Sequence, residues 1–397
     1  MEELAIFGGN PVRKDPIYYG RQCIGKDDVE AVIETLTSDY ITCGPKVDEA
    51  EKMLCEATGA KRAVVVSNGT AALHLSALAA GFQKGDEVIV SPITFAASAN
   101  CILYCGAKPV FADIDPDTYN IDPDCIRKSI TDKTKGIVAV DFTGQAVRLN
   151  EIREICKEHG LYLIEDAAHS LGTTYNGKPV GSLADLTCFS FHPVKTVTSG
   201  EGGAITTNNE ELYKRIMRLR AHGITRHRDE MVHPSDALWY NEQVELGFNY
   251  RLTDIQAALL VSQLRKLPDF SRRRREITAM YDAAFSEMPE IIVQKEIAES
   301  KTTRHLYVIR LNTELLKCDR RAFFDALYAE NTRPQVHYLP VYMHSYYESL
   351  GYKKGICPNA ERYYETSMSI PLYPSLTDED VQDVIRAVKK VTAYYRK

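Results

Sequence analysis

The chain has 397 residues, long enough for two domains sharing an interface, with a formal net charge of −6 and 26% charged residues. That balance supplies no cationic field for nucleic acid and points to a small-molecule enzyme. Ten cysteines without paired spacing, a start "MEELAIFGGNPVRKD" lacking a basic and then apolar run, and no apolar segment of membrane-spanning length predict a reduced, cytoplasmic protein outside the membrane.

From Arg62 to Thr207 seven short apolar runs ("AVVVS", "EVIVS", "KPVFAD", "GIVAVD", "LYLIED", "LTCFSF", "GGAITT") alternate with amphipathic helical stretches. Alternation of this kind predicts an α/β fold, a mostly parallel seven-stranded sheet covered by helices on both faces. Within "EVIVSPITFAASANCILYCGAKPVF" a strand is followed by a helix after Pro92, which Gly106 ends. Beyond Asn209 long helical stretches dominate, among them "LTDIQAALLVSQLRKL". "SRRRRE", Ser271 to Glu276, reads as the solvated face of a long helix, and "AHGITRHRDEMVHP" as a mobile polar loop with no zinc-like spacing and no other metal site. From about Lys301 the pattern becomes α+β, with a strand predicted over Gln335 to Tyr338 and a helix from about Thr377. The expected division is a large domain over 1–265, including the N-terminal segment, and a smaller C-terminal α+β domain over 266–397.

In open α/β sheets the ligand crevice lies at the carboxyl ends of the strands, so chemistry-bearing residues should gather there. "SNGT" after the first run offers Gly69 and Thr70 at a helix start, suited to a phosphate but equally to an ordinary N-cap. Neither a P-loop nor a GxGxxG pattern is present. "IEDAAH" places Asp166 and His169 after an apolar strand, where a carboxylate could also cap a turn. "CFSFHPVKTVTSGEGG" brings Ser190, Lys195 and three glycines, Gly200, Gly202 and Gly203, expected to let the backbone pass close to a bulky ligand. A dehydrated lysine can form a Schiff base with a carbonyl. A phosphate cradle, a carboxylate and a lysine at successive strand ends are together what pyridoxal 5′-phosphate requires.

The stretches "GPKVDEAEKML", "SNGTAALHLSALAAGFQKGDEVIVSPITFAASANCILYCGAKPVFADIDPDTYNID", "IEDAAHSLG", "FSFHPVKTVTSGEGGAITTN", "RLRAHGI" and "GFNYRLTDIQAAL" resemble the DegT/DnrJ/EryC1/StrS family of pyridoxal-phosphate-dependent nucleotide-sugar aminotransferases over nearly the whole chain. The resemblance implies the fold type I, aspartate aminotransferase-like architecture and a Schiff base on Lys195, with Asp166 meeting the pyridine nitrogen. It further implies that Gly69, Thr70 and Ser190 hold the phosphate, that Phe95 packs on the ring and that His169 approaches the phenolic oxygen. Asn249 in "GFNYRL" matches an asparagine that the family supplies from the neighbouring subunit, implying a homodimer with shared active sites. "IYYGRQCIGKDDVEAV", "AVDFTGQ" and "PQVHYLPVYMHSYYESLGY" are similar to the branch serving pseudaminic acid biosynthesis. The implied substrates are a UDP-linked 2-acetamido-2,6-dideoxy sugar ketonic at C4, with glutamate as amino donor. Tyr19, Tyr40, Thr42, Gln335, Val336, His337 and Tyr338 would line the sugar and nucleotide side, though tyrosines at a domain junction also serve as packing.

Overall fold

A computed structural model describes residues 2–397. The seven apolar runs form one sheet from β1 (Arg62–Val66), β2 (Glu87–Val90), β3 (Lys108–Phe111), β4 (Thr134–Val140), β5 (Tyr162–Asp166), β6 (Leu186–Ser190) and β7 (Gly203–Thr207). The spatial order is β1-β7-β6-β5-β4-β2-β3, and only β7 runs antiparallel to its neighbours. Both faces are buried, which explains runs that are apolar throughout rather than alternating. Val64, Val66, Val88, Val90 and Val138 pack in one cluster, while Ala63, Val65, Ile89, Ile137 and Ala139 pack in another.

Helices α1 (Lys26–Leu36), α2 (Pro45–Thr58), α3 (Gly69–Ala79), α4 (Ala97–Tyr104), α5 (Leu149–His159), α6 (Glu210–Arg220) and α7 (Asp254–Arg265) surround this sheet. α3 is apolar on nearly every side because it lies between the sheet and other helices. Its N-cap Asn68 accepts a hydrogen bond from the Ala71 amide at 2.8 Å. α8 (Leu267–Phe285) follows directly on α7 and leads to a three-stranded antiparallel sheet of β8 (Ile291–Val293), β9 (Tyr307–Leu311) and β10 (Ser367–Ile370), against which α9 (Arg320–Ala329) and α10 (Asp378–Tyr395) pack. Leu4 and Ile17 from the start of the chain join this third cluster, and Glu330 fastens the segment by accepting from the Ala5 and Val12 amides. Among the described residues no helix is long and apolar enough to cross a membrane.

Two local expectations are corrected. The basic run after Ser271 is not wholly solvated: Arg274 is buried and donates to the carbonyls of His305 and Leu372, stitching α8 to the small sheet. Gln335 to Tyr338 forms no strand beyond a single bridge, Gln335 to Ser369, because the segment leaves β10 to line the cavity described next.

Candidate active site

A cavity of about 1090 Å³ opens at the carboxyl ends of β1, β4, β5 and β6. β5 ends in Asp166, and strand alternation turns its side chain into the cavity beside Val140 and Cys188. Asp166 is 6% exposed. Its Oδ2 accepts from Ser98 Oγ at 2.6 Å and its Oδ1 from the Ala168 amide at 3.2 Å. Burial raises its pKa, opposed by those two donors and by the charge of Lys195. Lys195 lies in the loop after β6, where burial pulls its ammonium pKa down to about 8 although Asp166 acts the other way. It is the one lysine on the cavity wall among the described residues.

At the start of α3, Gly69 and Thr70 face Ser190 across the cavity floor. A Cβ at Gly69 would stand 2.9 Å from Ser190 Cβ, so only glycine admits that approach. Amides of a first helical turn have no intrahelical partner, and Asn68 serves Ala71, leaving those of Gly69 and Thr70 for a ligand. His169 is buried with Nδ1 unpartnered, and its ring lies 4.4 Å from that of His305. Burial, then the charges of Lys195 and His337, hold its pKa well down, so it is neutral. Phe95 stands into the cavity, 64% exposed, with its ring 6.4 Å from that of Tyr338.

Tyr19, Gln335, Val336, His337 and Tyr338 close the opposite wall. His337 Nδ1 meets Ser369 Oγ at 2.8 Å, its carbonyl accepts from Tyr363 Oη at 2.7 Å, and its ring packs 5.0 Å from Tyr19. Burial, with Lys195 nearby, drives its pKa to about 3. Tyr40, Thr42 and Asn249 do not reach this cavity: all three are exposed, Thr42 bridging Thr253 and Asn249 bridging Ala221. The three glycines after Lys195 do not line it either. Gly203 instead passes the chain's own turn, since a Cβ there would sit 2.5 Å from the Asn68 carbonyl and 2.8 Å from the Gly69 amide nitrogen.

Sequence reasoning missed Ser98, Thr94, Glu201, Tyr104, Tyr250 and His344 on the wall and His305 behind it. Ser98 had a signal, a hydroxyl at the opening of α4, the helix that follows the strand ending at Val90; His305 had none, being more than a hundred residues from its partner. No cluster of metal-ligating side chains occurs among the described residues. The donor set suits pyridoxal phosphate: one amine of lowered pKa for an aldehyde, a buried carboxylate for a ring nitrogen, an orphaned imidazole, and free helix-start amides with a hydroxyl for a phosphate.

The model of the DegT/DnrJ/EryC1/StrS aminotransferase family matches residues 22–389. The spore coat polysaccharide biosynthesis protein SpsC of Bacillus subtilis is 42% identical over 375 residues, 94% of this chain and 96% of that one. The UDP-4-amino-4,6-dideoxy-N-acetyl-beta-L-altrosamine transaminase of Campylobacter jejuni is 40% identical over 371 residues, 93% and 95% of the two chains. The solved structure of Helicobacter pylori PseC, an aminotransferase involved in the biosynthesis of pseudoaminic acid, superposes with a TM-score of 0.89 at 34% identity, covering 96% of this chain and all of that one. Sheet, cavity and full-length likeness agree, and the chain belongs to the DegT/DnrJ/EryC1/StrS family as a sugar aminotransferase of fold type I that uses pyridoxal phosphate.

Proposed function

We propose that this enzyme moves an amino group from glutamate to the C4 ketone of a UDP-linked 2-acetamido-2,6-dideoxy-hexos-4-ulose, in pseudaminic acid biosynthesis. The observation that carries the reading is near-full-length likeness, at 40% identity, to a Campylobacter protein whose name states an altrosamine transaminase. A second reading, amination of another nucleotide-linked ketosugar at C3 or C4, on UDP, dTDP or GDP, is favoured by the likeness at 42% to a spore coat polysaccharide protein.

When bound, pyridoxal phosphate supplies an aldehyde to carry the amino group and a ring to delocalise electrons. Lys195 Nζ is the partner for that aldehyde and the amine that takes and returns a proton, a role its pKa of about 8 suits at neutral pH. Asp166 keeps a proton on the ring nitrogen, its carboxylate aimed by Ser98 and the Ala168 amide. The amides of Gly69 and Thr70 and the Ser190 hydroxyl would hold the phosphate, Phe95 would pack on the ring, and neutral His169 would approach the phenolic oxygen. Tyr19 and the segment Gln335 to Tyr338 orient the sugar and exclude water on its side.

Tyr40, Thr42 and Asn249 then act from a second copy, in a homodimer with shared sites. An unpartnered apolar row on α1, Val29, Ile33 and Leu36, supports that assembly. Ten cysteines, all free, suit a reducing cytoplasm. The reading also keeps the domain boundary between residues 265 and 266, where α7 gives way to α8, while Leu4 and Ile17 pack with the C-terminal cluster. The test is a panel of UDP-, dTDP- and GDP-linked ketosugars, each with glutamate, scored by mass for a new amine. Preference for any substrate other than the UDP-linked 4-ketosugar would overturn the first reading.

A further inference from the structure

Behind Asp166, on the face of the sheet turned away from the cavity, lies a second acidic group with no part in the scheme above. Residues alternate across a strand, so the register that pairs Ala139 with Glu165 and Glu165 with Thr187 sends Glu165 and Thr187 to the rear, together with Asp141 just beyond β4. Glu165 and Asp141 are both fully buried. Glu165 Oε2 accepts from Thr187 Oγ1 at 2.9 Å, while Oε1 has no donor; the neighbouring carboxyl is Asp141, two residues past Ala139, the cross-strand partner of Glu165, and on the same face. Asp141 Oδ1 accepts from the Val147 amide at 2.9 Å and Oδ2 from Ser170 Oγ at 2.6 Å. Among the described residues neither forms an ion pair; the titratable groups acting on them are each other and Asp166, all acids.

Two carboxylates cannot both ionise in a dry site without a counter-ion. Asp141 has two donors to hold its charge and Glu165 has one, so the proton belongs on Glu165. We propose that Glu165 stays the neutral acid, donating from Oε1 to the Asp141 carboxylate, and that this one-proton pair positions the segment Asp166 to Ser170. The grip is at both ends: the Asp141 amide donates to the Asp166 carbonyl at 3.1 Å, and its carboxylate holds Ser170. Asp166 and His169, whose side chains carry that segment's chemistry at the cavity, are fixed between these points. Burial pushes both carboxyls up, Asp141 to about 7 against the pull of its donors, and Glu165 further, with the Asp141 charge adding to it. A single charge behind the sheet also leaves Asp166 free to stay ionised beside Lys195, where two would press a proton onto it. Glu165 is a positioning residue here, and the cofactor consequence rests on the role proposed for Asp166.

The test uses the cofactor-loaded enzyme. At neutral pH its infrared spectrum should contain the carbonyl stretch of a buried protonated carboxylic acid, absent from E165Q. The amide of E165Q can accept from Thr187 and donate to Asp141, so cofactor affinity should stay within about twofold of wild type and the pH midpoint of the cofactor's visible band within about 0.3 unit. E165L, which strands the Asp141 charge, and D141N, which removes it, should each weaken cofactor binding by about tenfold or more. Absence of the acid band in wild type, a misfolded E165Q, or E165Q weakened as much as E165L would overturn the proposal. Should Asp166 not be the ring's partner, D166N would leave the visible band unchanged while the acid band and the E165Q result still stand, so the two failures are distinguishable.

Discussion

Gly203→Ala tests how the phosphate turn is held. Gly203 opens β7 between Ser190 and Val66, and its Cα lies against the Asn68–Gly69 peptide. A Cβ would stand 2.5 Å from the Asn68 carbonyl, whereas ordinary contact begins at 3.4 Å, a deficit of 0.9 Å. The obstructing atoms are the backbone of the N-cap turn of α3, and β7 is paired on both of its edges, so no side chain can swing away. Overpacking of this sort costs about 1–3 kcal/mol, and loss of the Asn68 cap on α3 adds about 1 kcal/mol. A total near 2–4 kcal/mol should lower the melting temperature by several degrees. The share that displaces the Gly69 and Thr70 amides appears as weaker cofactor binding, about tenfold for each ~1.4 kcal/mol. Gly200→Ala is the control: at φ +78° it has nothing within 4 Å of a Cβ, so a left-handed backbone penalty of about 1–2 kcal/mol should lower stability and leave cofactor affinity unchanged. Thermal melts and equilibrium dialysis against pyridoxal phosphate read the two effects separately. Wild-type affinity in Gly203→Ala, or an equal loss in Gly200→Ala, would refute the argument.

Lys195→Ala should fold, retain no cofactor that borohydride can fix to the chain, and lose all but trace turnover; wild-type-like turnover would falsify the assignment. Asp166→Asn should slow turnover by about 10² or more, and a variant keeping over half the wild-type rate would exclude Asp166 as the ring's partner. Capture of pyridoxal phosphate by the cofactor-free enzyme needs an unprotonated Lys195, so stopped-flow rates should rise with pH through about 8 and level above it. A midpoint near that of free lysine, about 10.4, would mean the amine is not desolvated. Refolding a mixture of Lys195→Ala and Asn249→Ala protomers should restore about a quarter of the wild-type activity, because half of randomly formed dimers are mixed and each has one intact site of two. No gain over the parents, with exchange verified by a size tag, would return Asn249 to its own subunit.

The large sheet was legible because burial on both faces leaves a plain mark, seven apolar runs at regular intervals, and all seven became its strands. The small domain was read less well where tertiary context overrode local pattern. "SRRRRE" has the composition of a solvated helix face, yet Arg274 is buried because two carbonyls from distant segments, His305 and Leu372, converge on it. "PQVHY" is β-rich, but its neighbour β10 offers it a single bridge, and the segment's packing goes to the cavity wall instead. Likewise the glycines after Lys195 read as room for a ligand. The close approach at Gly203 is to another part of the chain, which one stretch of sequence does not reveal.

The residues of the candidate site divide by the same logic. Lys195, Asp166, His169, Ser190, Gly69 and Thr70 follow strand ends, and a parallel sheet brings such ends together whatever their separation in sequence, so their meeting was foreseeable. Asn249, Tyr40 and Thr42 follow no strand of this sheet, and one copy of the chain leaves them exposed. The charge of the cavity bears on what they do. Among the described residues its wall includes Lys195, the acids Asp166 and Glu201, and four histidines, of which His169 and His337 are held neutral, and no arginine. Under the proposed function, a cofactor phosphate is joined in turn by a nucleotide diphosphate or by the carboxylates of an amino donor, so several negative charges meet in this space. Helix-start amides and hydroxyls can hold one phosphate, but one amine engaged with the cofactor leaves the remainder uncompensated. Under the proposed dimer, groups exposed on one protomer, with Asn249 among them, complete the site of the other, so cofactor affinity should weaken with dilution below the dimer's dissociation constant.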